Sequence, residues 1–255
     1  MSFAAIGALR GYSRRWRLRD RGIAVGYFIV ALGFFFLVNW VYQVSRKPVE
    51  LLAPASESFY KSPEQTWKTY GELFVKYSTA DISPELLAAI AQVEAEGNPI
   101  ARTYWRWQWS WNPFEIYRPA SSSVGMYQMT DGTFAVARNY CVKEHKVFSG
   151  MACRFTSLYN RALPSHAIEL TAAYLQQIVQ KAIAAKAAVA KTTVNQRQKL
   201  AAAVHLCGAG KAESFIRRAF HPGSGEKCGE QSLRNYLKRV EQARARFIKL
   251  RAKLG

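Results

Sequence analysis

A predominantly α-helical domain behind one N-terminal transmembrane helix is what this sequence predicts, on three observations. Residues 22–44 (GIAVGYFIVALGFFFLVNWVYQV) run for 23 positions without a charge. Downstream, apolar residues recur at three- and four-residue intervals through most of 63–253, the period of a helix with one buried face. Within that stretch, Ser83-Pro84 is a strong helix start, a capping hydroxyl followed by a proline with the right φ and no amide hydrogen to lose. The chain has 255 residues, 49% of them hydrophobic, which excludes disorder as its main state and allows one domain of about 200 residues plus an appendage.

The uncharged run is long enough to cross a hydrocarbon core, which takes about 20 apolar residues. Asn39, Trp40, Tyr42 and Gln43 near its end have the composition of a membrane interface. Arg10, Arg14, Arg15, Arg17, Arg19 and Arg21 precede it against Asp20 alone, whereas only Arg46 and Lys47 follow closely. The positive-inside bias therefore predicts a cytoplasmic basic tail (1–21), a transmembrane helix (22–44) and export of everything beyond. A cleaved signal peptide would need a shorter apolar region and a small-residue cleavage site, and Ala53-Pro54-Ala55 is a poor one. The net charge of +19 falls to +14 once the tail's six arginines and Asp20 are removed. So basic a chain expects an anionic partner, but an exported domain does not meet nucleic acid.

Residues 45–65 carry two prolines before Pro63 and read as a linker to a domain over 66–255. Trp67, Tyr70, Leu73 and Phe74 predict a helix over 63–77; Leu86, Leu87, Ile90 and Val93 predict another over 84–96, stopped by Gly97 and Pro99. Residues 100–124 read as irregular, with Trp105, Trp107, Trp109 and Trp111 alternating with polar residues and so on one side of an extended segment. Helices are predicted over 131–141, 165–190, 195–207 and 229–253, the last with Leu233, Leu237, Val240, Phe247, Leu250 and Leu254. The alanine-rich stretch 181–192 reads as a solvated helix.

Four cysteines, Cys141, Cys153, Cys207 and Cys228, all lie in the exported part, where an even number predicts two disulfides. Three pairings are possible; Cys141–Cys153 with Cys207–Cys228 closes two short loops and is preferred. The spacings match no zinc-ligand pattern, and no metal or other cofactor is expected.

Glu94 is the principal candidate for chemistry. It follows an apolar-face residue, Val93, near the end of a helix whose other positions include Ala88, Ala89, Ala91 and Ala95, so its carboxyl can be partly buried beside the core. Burial raises a carboxyl pKa, as a general acid working near neutrality requires.

From Glu94 the chain reads EAEGNP, and some 25 residues later SSSVGMYQMTDGTF. This resembles the lytic transglycosylases of the soluble-transglycosylase (SLT) type, whose fold is related to goose-type lysozyme. The matching residues are Glu94, Asn98 and Pro99, then Gly125, Gln128, Gly132 and Thr133. A third family motif, Tyr-Asn-x-Gly-x-Gly, is matched by AVHLCGAG at Gly208 and Gly210 only, with His205 and Leu206 in place of Tyr-Asn. The resemblance spans roughly 75–220. It implies a lysozyme-like helical domain that cleaves the MurNAc–GlcNAc β-1,4 bond of peptidoglycan, with Glu94 first protonating the glycosidic oxygen. Glu94 then takes the proton of the C6 hydroxyl, so that a 1,6-anhydro ring closes without water. One carboxylate suffices for this, unlike the pairs of most glycosidases.

The same resemblance places Gln128 and the backbone at Gly125 on the sugar's amide and hydroxyls, with Tyr127 either core or cleft wall. His205 would take the place of the family's tyrosine beside the glutamate, and Tyr174, in AAYL, would also line the site. Asn-Ile ahead of that helix has become Ala167-Ile168, and His166 is a helix-start residue. Glu96 is read as solvated and Asp131 as an N-cap. The Trp105–Trp111 insertion reads as a glycan-stacking arm, a flap packed on the domain, or an interfacial belt. After Cys228, eight Lys/Arg stand against two acids, a face suited to anionic wall polymers. The expected partners are peptidoglycan strands, the inner membrane and an envelope-spanning assembly, with the domain in the periplasm. Two alternatives stay open: a non-catalytic wall-binding module of the same fold, and a lysozyme-like hydrolase.

Overall fold

The computed structural model describes the backbone of residues 3–185 and 192–254 and the side chains of 21–185 and 192–253. It contains eight α-helices among the described residues, linked by three short β-hairpins and several 3-10 turns. The chain divides into two compact units, one of residues 1–50 with 105–120 and one of residues 51–104 with 121–255. The tryptophan insertion thus groups with the N-terminal helix, not with the domain that its position in the sequence assigned it to.

In the first unit, α1 (Phe3–Arg46) contains the one described helix long and apolar enough to cross a membrane, Arg21–Arg46. Against its last turns lies a hairpin of β1 (Trp105–Trp107) and β2 (Tyr117–Pro119), with Trp105 opposite Pro119 and Trp107 opposite Tyr117. Regular strand covers two of the four alternating tryptophans; Trp109 and Trp111 sit in the connecting loop. Lys47 and Glu50 pair at 3.3 Å, and the Trp105 indole donates to Glu50.

In the second unit, the expected linker is a 3-10 segment, Pro48–Phe59, from residue 51 onward. It is held through the buried Asn98, whose amide donates to the Ser56 carbonyl. Helix α2 (Pro63–Tyr77) opens with a capping box of Ser62 and Gln65. Helix α3 (Pro84–Ala95) opens on Ser83, whose hydroxyl accepts from the Leu86 amide, and ends in a left-handed Glu96 followed by Gly97. Leu86, Leu87, Ala88, Ala89, Ile90 and Ala91 are all fully buried, so α3 is the central helix of the core.

Beyond the turn at 124–129 come α4 (Asp131–Ala137), the hairpin of β3 (Tyr140–Lys143) and β4 (Lys146–Ser149), and α5 (Pro164–Ala184). Then follow α6 (Val194–Cys207), α7 (Ala212–Arg217), the two-residue strands β5 (Lys227–Cys228) and β6 (Gln231–Ser232), and α8 (Leu233–Leu254). Helix α4 is shorter than the predicted 131–141 because the chain turns into β3, where Cys141 bonds Cys153. Of the predicted 165–190 and 181–192 helices, α5 covers the part up to Ala184, Thr192 is not helical, and residues 186–191 lie outside the described residues. The second disulfide is Cys207–Cys228, so both preferred pairings are present.

Polar links fix α3 at its start. Asp81 accepts from Gln176 of α5 at 2.7 Å and from Arg197 of α6 at 2.9 Å, and Glu85 pairs with Arg251 of α8 at 2.7 Å. Beyond its other end, the turn at Gly125 has a φ of +78°, and a Cβ there would come within 2.5 Å of the Arg161 carbonyl. Both constraints select glycine. Gly125→Ala is expected to destabilise the protein by about 2–5 kcal/mol, from left-handed strain and a backbone clash combined. Denaturant unfolding of the full chain in detergent measures this.

Candidate active site

Glu94 sits on the last turn of α3, its side chain about 10% exposed. Small residues around it let two other helices reach the carboxyl. The Tyr236 hydroxyl, from α8, donates to Glu94 Oε1 at 2.7 Å, and His205 Nε2, from the last turn of α6, lies 3.4 Å from the same oxygen. Arg239, one turn after Tyr236, adds a positive charge and stacks over the Tyr236 ring. The carboxylate therefore stands where α3, α6 and α8 converge.

The sequence reading expected burial to raise the Glu94 pKa. Burial is indeed the largest influence and acts upward, but the hydrogen bond and charge of His205, the Tyr236 hydroxyl and Arg239 together outweigh it. The carboxyl is held below its ordinary value. In the uncovered site Glu94 is accordingly an anion at neutral pH. The same pairing pushes the Tyr236 hydroxyl, already raised by burial, well above its usual range, so it remains a proton donor.

A groove of about 280 Å³ opens beside His205, lined by Gln128, Thr133, Thr171, Tyr174 and Gly208 among others. His205, Gln128 and Tyr174 are thus brought to one surface. Burial raises the Tyr174 hydroxyl, and a backbone hydrogen bond from Ala209 partly offsets this. Two of the predicted sugar-binding positions have other employment. Gly125 donates its amide to the Ala101 carbonyl, and its own carbonyl accepts from both the amide and side chain of Gln128. Gly125 builds the turn and has no backbone group left for a ligand. Gln128 donates Nε2 to the carbonyls of Gly125 and Ala101, which leaves its Oε1 as the atom available to the groove.

Tyr127 is 1% exposed, donates its hydroxyl to the Leu87 carbonyl and meets the His205 ring edge-on at 6.3 Å; it is core beneath the site, not cleft wall. Glu96 is exposed, as expected. The N-cap of α4 is Thr130 rather than Asp131, which pairs with Arg161 at 2.6 Å. His166 stacks on Tyr159 and accepts from the Asn160 amide.

Tyr236, which the sequence did not mark as part of the site, is the closest partner of Glu94 there. Its signal was a hydroxyl-bearing side chain on the apolar stripe of α8, between Leu233 and Leu237, where burial requires a polar partner. Nothing local says that the partner is 142 positions away.

With this geometry in place, the comparison with known families is direct. The family model for the Transglycosylase SLT domain matches residues 73–224, more than half of the chain, and the chain belongs to that family. It is a family of peptidoglycan-acting domains with a lysozyme-like fold, generally lytic transglycosylases. No curated protein and no solved structure gives a significant match. The matched region holds Glu94 and His205 and ends before Tyr236.

Two predictions follow from the partners of Glu94. His205→Leu removes the strongest influence that lowers the carboxyl, so the acid stays protonated to higher pH. The alkaline limb of the pH–rate profile on purified cell wall then moves upward; an unmoved limb would make His205 a packing residue. Tyr236→Phe deletes a hydrogen bond to a buried charge, a loss of about 1.5–3 kcal/mol, or roughly 10- to 150-fold in turnover. Steady-state assays on the same wall read it, with far-ultraviolet circular dichroism as the folding control.

Proposed function

We propose that this chain is a membrane-anchored lytic transglycosylase that cuts the MurNAc–GlcNAc β-1,4 bond of peptidoglycan and leaves a 1,6-anhydro-MurNAc end. The single observation that carries this reading is a mostly buried carboxylate gripped by a tyrosine hydroxyl and a histidine, in a chain that belongs to the SLT family. Glu94 is the general acid and then the general base. A glycan lying over the carboxyl excludes water and strengthens burial, the one influence that pushes its pKa up. Glu94 then carries the proton to the leaving oxygen. Once ionised, it is again favoured by Tyr236 and His205, and in that form it accepts the C6 hydroxyl proton as the hydroxyl oxygen attacks C1. Protonation and ionisation are each stabilised at the step that needs them.

Single-carboxylate chemistry also agrees with how the nearby acids are engaged. Asp131 is bonded to Arg161 and Glu85 to Arg251, while Glu96 is an exposed helix cap. The partners that reach Glu94 are a tyrosine hydroxyl and a histidine, not the second carboxylate of a two-acid glycosidase.

Arg21–Arg46 serves as the anchor, with the basic tail in the cytoplasm and the domain in the periplasm. Two disulfides support an oxidising compartment. The partners are then the glycan strands, the inner membrane and an envelope-spanning assembly that needs a local opening in the wall.

Purified sacculi test the reaction. The wild type is expected to release muropeptides with anhydro ends, and Glu94→Gln to lose at least 10²-fold of that release while still binding the wall. Products heavier by one water identify a hydrolase, and equal negligible release by both proteins identifies a binding module.

A further inference from the structure

The hairpin between Tyr104 and Ser121 is not used by the reaction, and its contacts within its own unit say what it does. Asn39 and Gln43 interrupt the apolar surface of α1 in its last turns. A side-chain amide facing hydrocarbon without a partner costs several kcal/mol. Both are buried, and both donate to one acceptor, the Phe114 carbonyl at the hairpin tip, at 3.3 and 2.6 Å. The Phe114 ring lies between Phe35 and Tyr42, at 6.4 and 5.6 Å between centroids, and Phe36 meets Trp107 and Tyr117 edge-on. The hairpin therefore runs alongside residues 35–46. At 1.5 Å of rise per residue, its contact with Phe36 lies about 15 Å down the helix from Arg46.

A segment at that level meets whatever α1 meets there. What it presents outward is Trp107 at 64% exposure, Trp109 at 83% and Trp111 at 93%, three indoles bare of protein contacts over most of their surface. Indoles of this kind concentrate in the headgroup layer, where the ring is sheltered and the N–H stays hydrated. The charges have the matching sign: Arg46, Arg106 and Arg118 stand against Glu115, which bridges Arg46 at 2.6 Å and Arg118 at 3.0 Å. The surplus is positive and suits lipid phosphates. The hairpin backbone is largely paired, by the β1–β2 register, by the Gln108 amide to the Ile116 carbonyl, and by Asn112 capping Phe114.

We propose that the hairpin Trp105–Pro119 is a lipid-contacting foot. It covers Asn39 and Gln43 at the edge of the hydrocarbon, engaging both amides through the Phe114 carbonyl, and seats Trp107, Trp109 and Trp111 in the headgroup layer beside Trp40 and Tyr42 of α1. The hydrocarbon-spanning stretch is then Gly22–Val38, seventeen uncharged residues and about 25 Å of helix, at the short end of what crosses a bilayer. A glycan is the rival occupant. It stacks on open ring faces, and the Trp107 ring is partly covered by Tyr117 at 4.7 Å and met by Phe36, whereas the more open Trp109 and Trp111 lie in the loop beside the positively charged, membrane-proximal end of α1.

The inference rests on α1 being the anchor and is independent of the catalytic reading. Its test uses the full chain in nanodiscs, in a Trp16→Phe/Trp40→Phe background that leaves the hairpin tryptophans and the buried Trp67. Lipids brominated on the acyl chain near the headgroup quench indoles in contact with them. Strong quenching that falls on adding Trp109→Phe and Trp111→Phe, with Trp107 keeping the remainder, supports the foot; quenching unchanged by the two substitutions overturns it, and both positions are exposed enough for the substitutions to leave folding intact. Quenching by aqueous acrylamide alone, with the chain still resistant to alkaline extraction, overturns the foot and keeps the anchor. An emission shift with soluble GlcNAc–MurNAc oligomers, and none with brominated lipid, overturns it in favour of a glycan arm. Release of the chain by alkaline extraction overturns anchor and foot together. None of these readouts depends on Glu94.

Discussion

A carboxylate taken out of water at the junction of three helices is the constraint on which the catalytic unit depends. An isolated ion in that position would be prohibitively costly, so α6 and α8 must each deliver a partner to Glu94 on α3. Alanines along α3 let neighbouring backbones come close, and the packing of α8 along α3 brings the Tyr236 hydroxyl to the same oxygen that His205 approaches. The Cys207–Cys228 bond joins the segments that carry the two partners, since His205 lies two residues before the first cysteine and Tyr236 eight after the second. It closes the segment that connects α6 to α8.

Those partners also change what burial means for the reaction. A carboxyl surrounded only by apolar groups would be neutral throughout and a poor base. One with donors alone would be ionised throughout and a poor acid. Glu94 experiences both influences at once, and they act oppositely. Covering or uncovering the site changes chiefly the desolvation, so the balance responds to the substrate itself. His205, which replaces the aromatic hydroxyl of the family motif, is consistent with this, because it supplies a donor from the same helix end while Tyr236 supplies the hydroxyl from α8.

What was legible in the sequence was local. Ser62-Pro63 and Ser83-Pro84 announce α2 and α3 because capping and proline act within one turn, and apolar spacing marks the start of α5 and both ends of α6 and α8 to within a few residues. The hairpin β3–β4 was not, since its turn places Glu144 and His145 at positive φ without a glycine to mark it, and α4 was consequently drawn too long. The GMYQ segment was legible as a turn of the right family, but the functions assigned to Gly125 and Tyr127 were not: their polar groups complete the turn and the core. A motif residue that holds a backbone in place and one that touches a ligand look alike in one dimension.

The decisive contacts share a form that explains why they escape a linear reading. Glu94 is completed by Tyr236 from 142 positions away, and Asn39 and Gln43 by the Phe114 carbonyl from 75 and 71. In each case a polar group in a mostly apolar setting, an acid beside a core or an amide N–H in an apolar helix, is met by a segment distant in sequence. Glu94 beside small core residues stood out in the sequence, whereas Asn39 and Gln43 fitted a membrane interface and gave no sign of a distant partner. Since burying an acid unpaired would cost more than most single contacts contribute, the position of Glu94 itself implies a partner, and residues like Tyr236 on an otherwise apolar stripe are the complementary half of the same signal. Each half indicates that a partner exists, and only the fold determines which element supplies it.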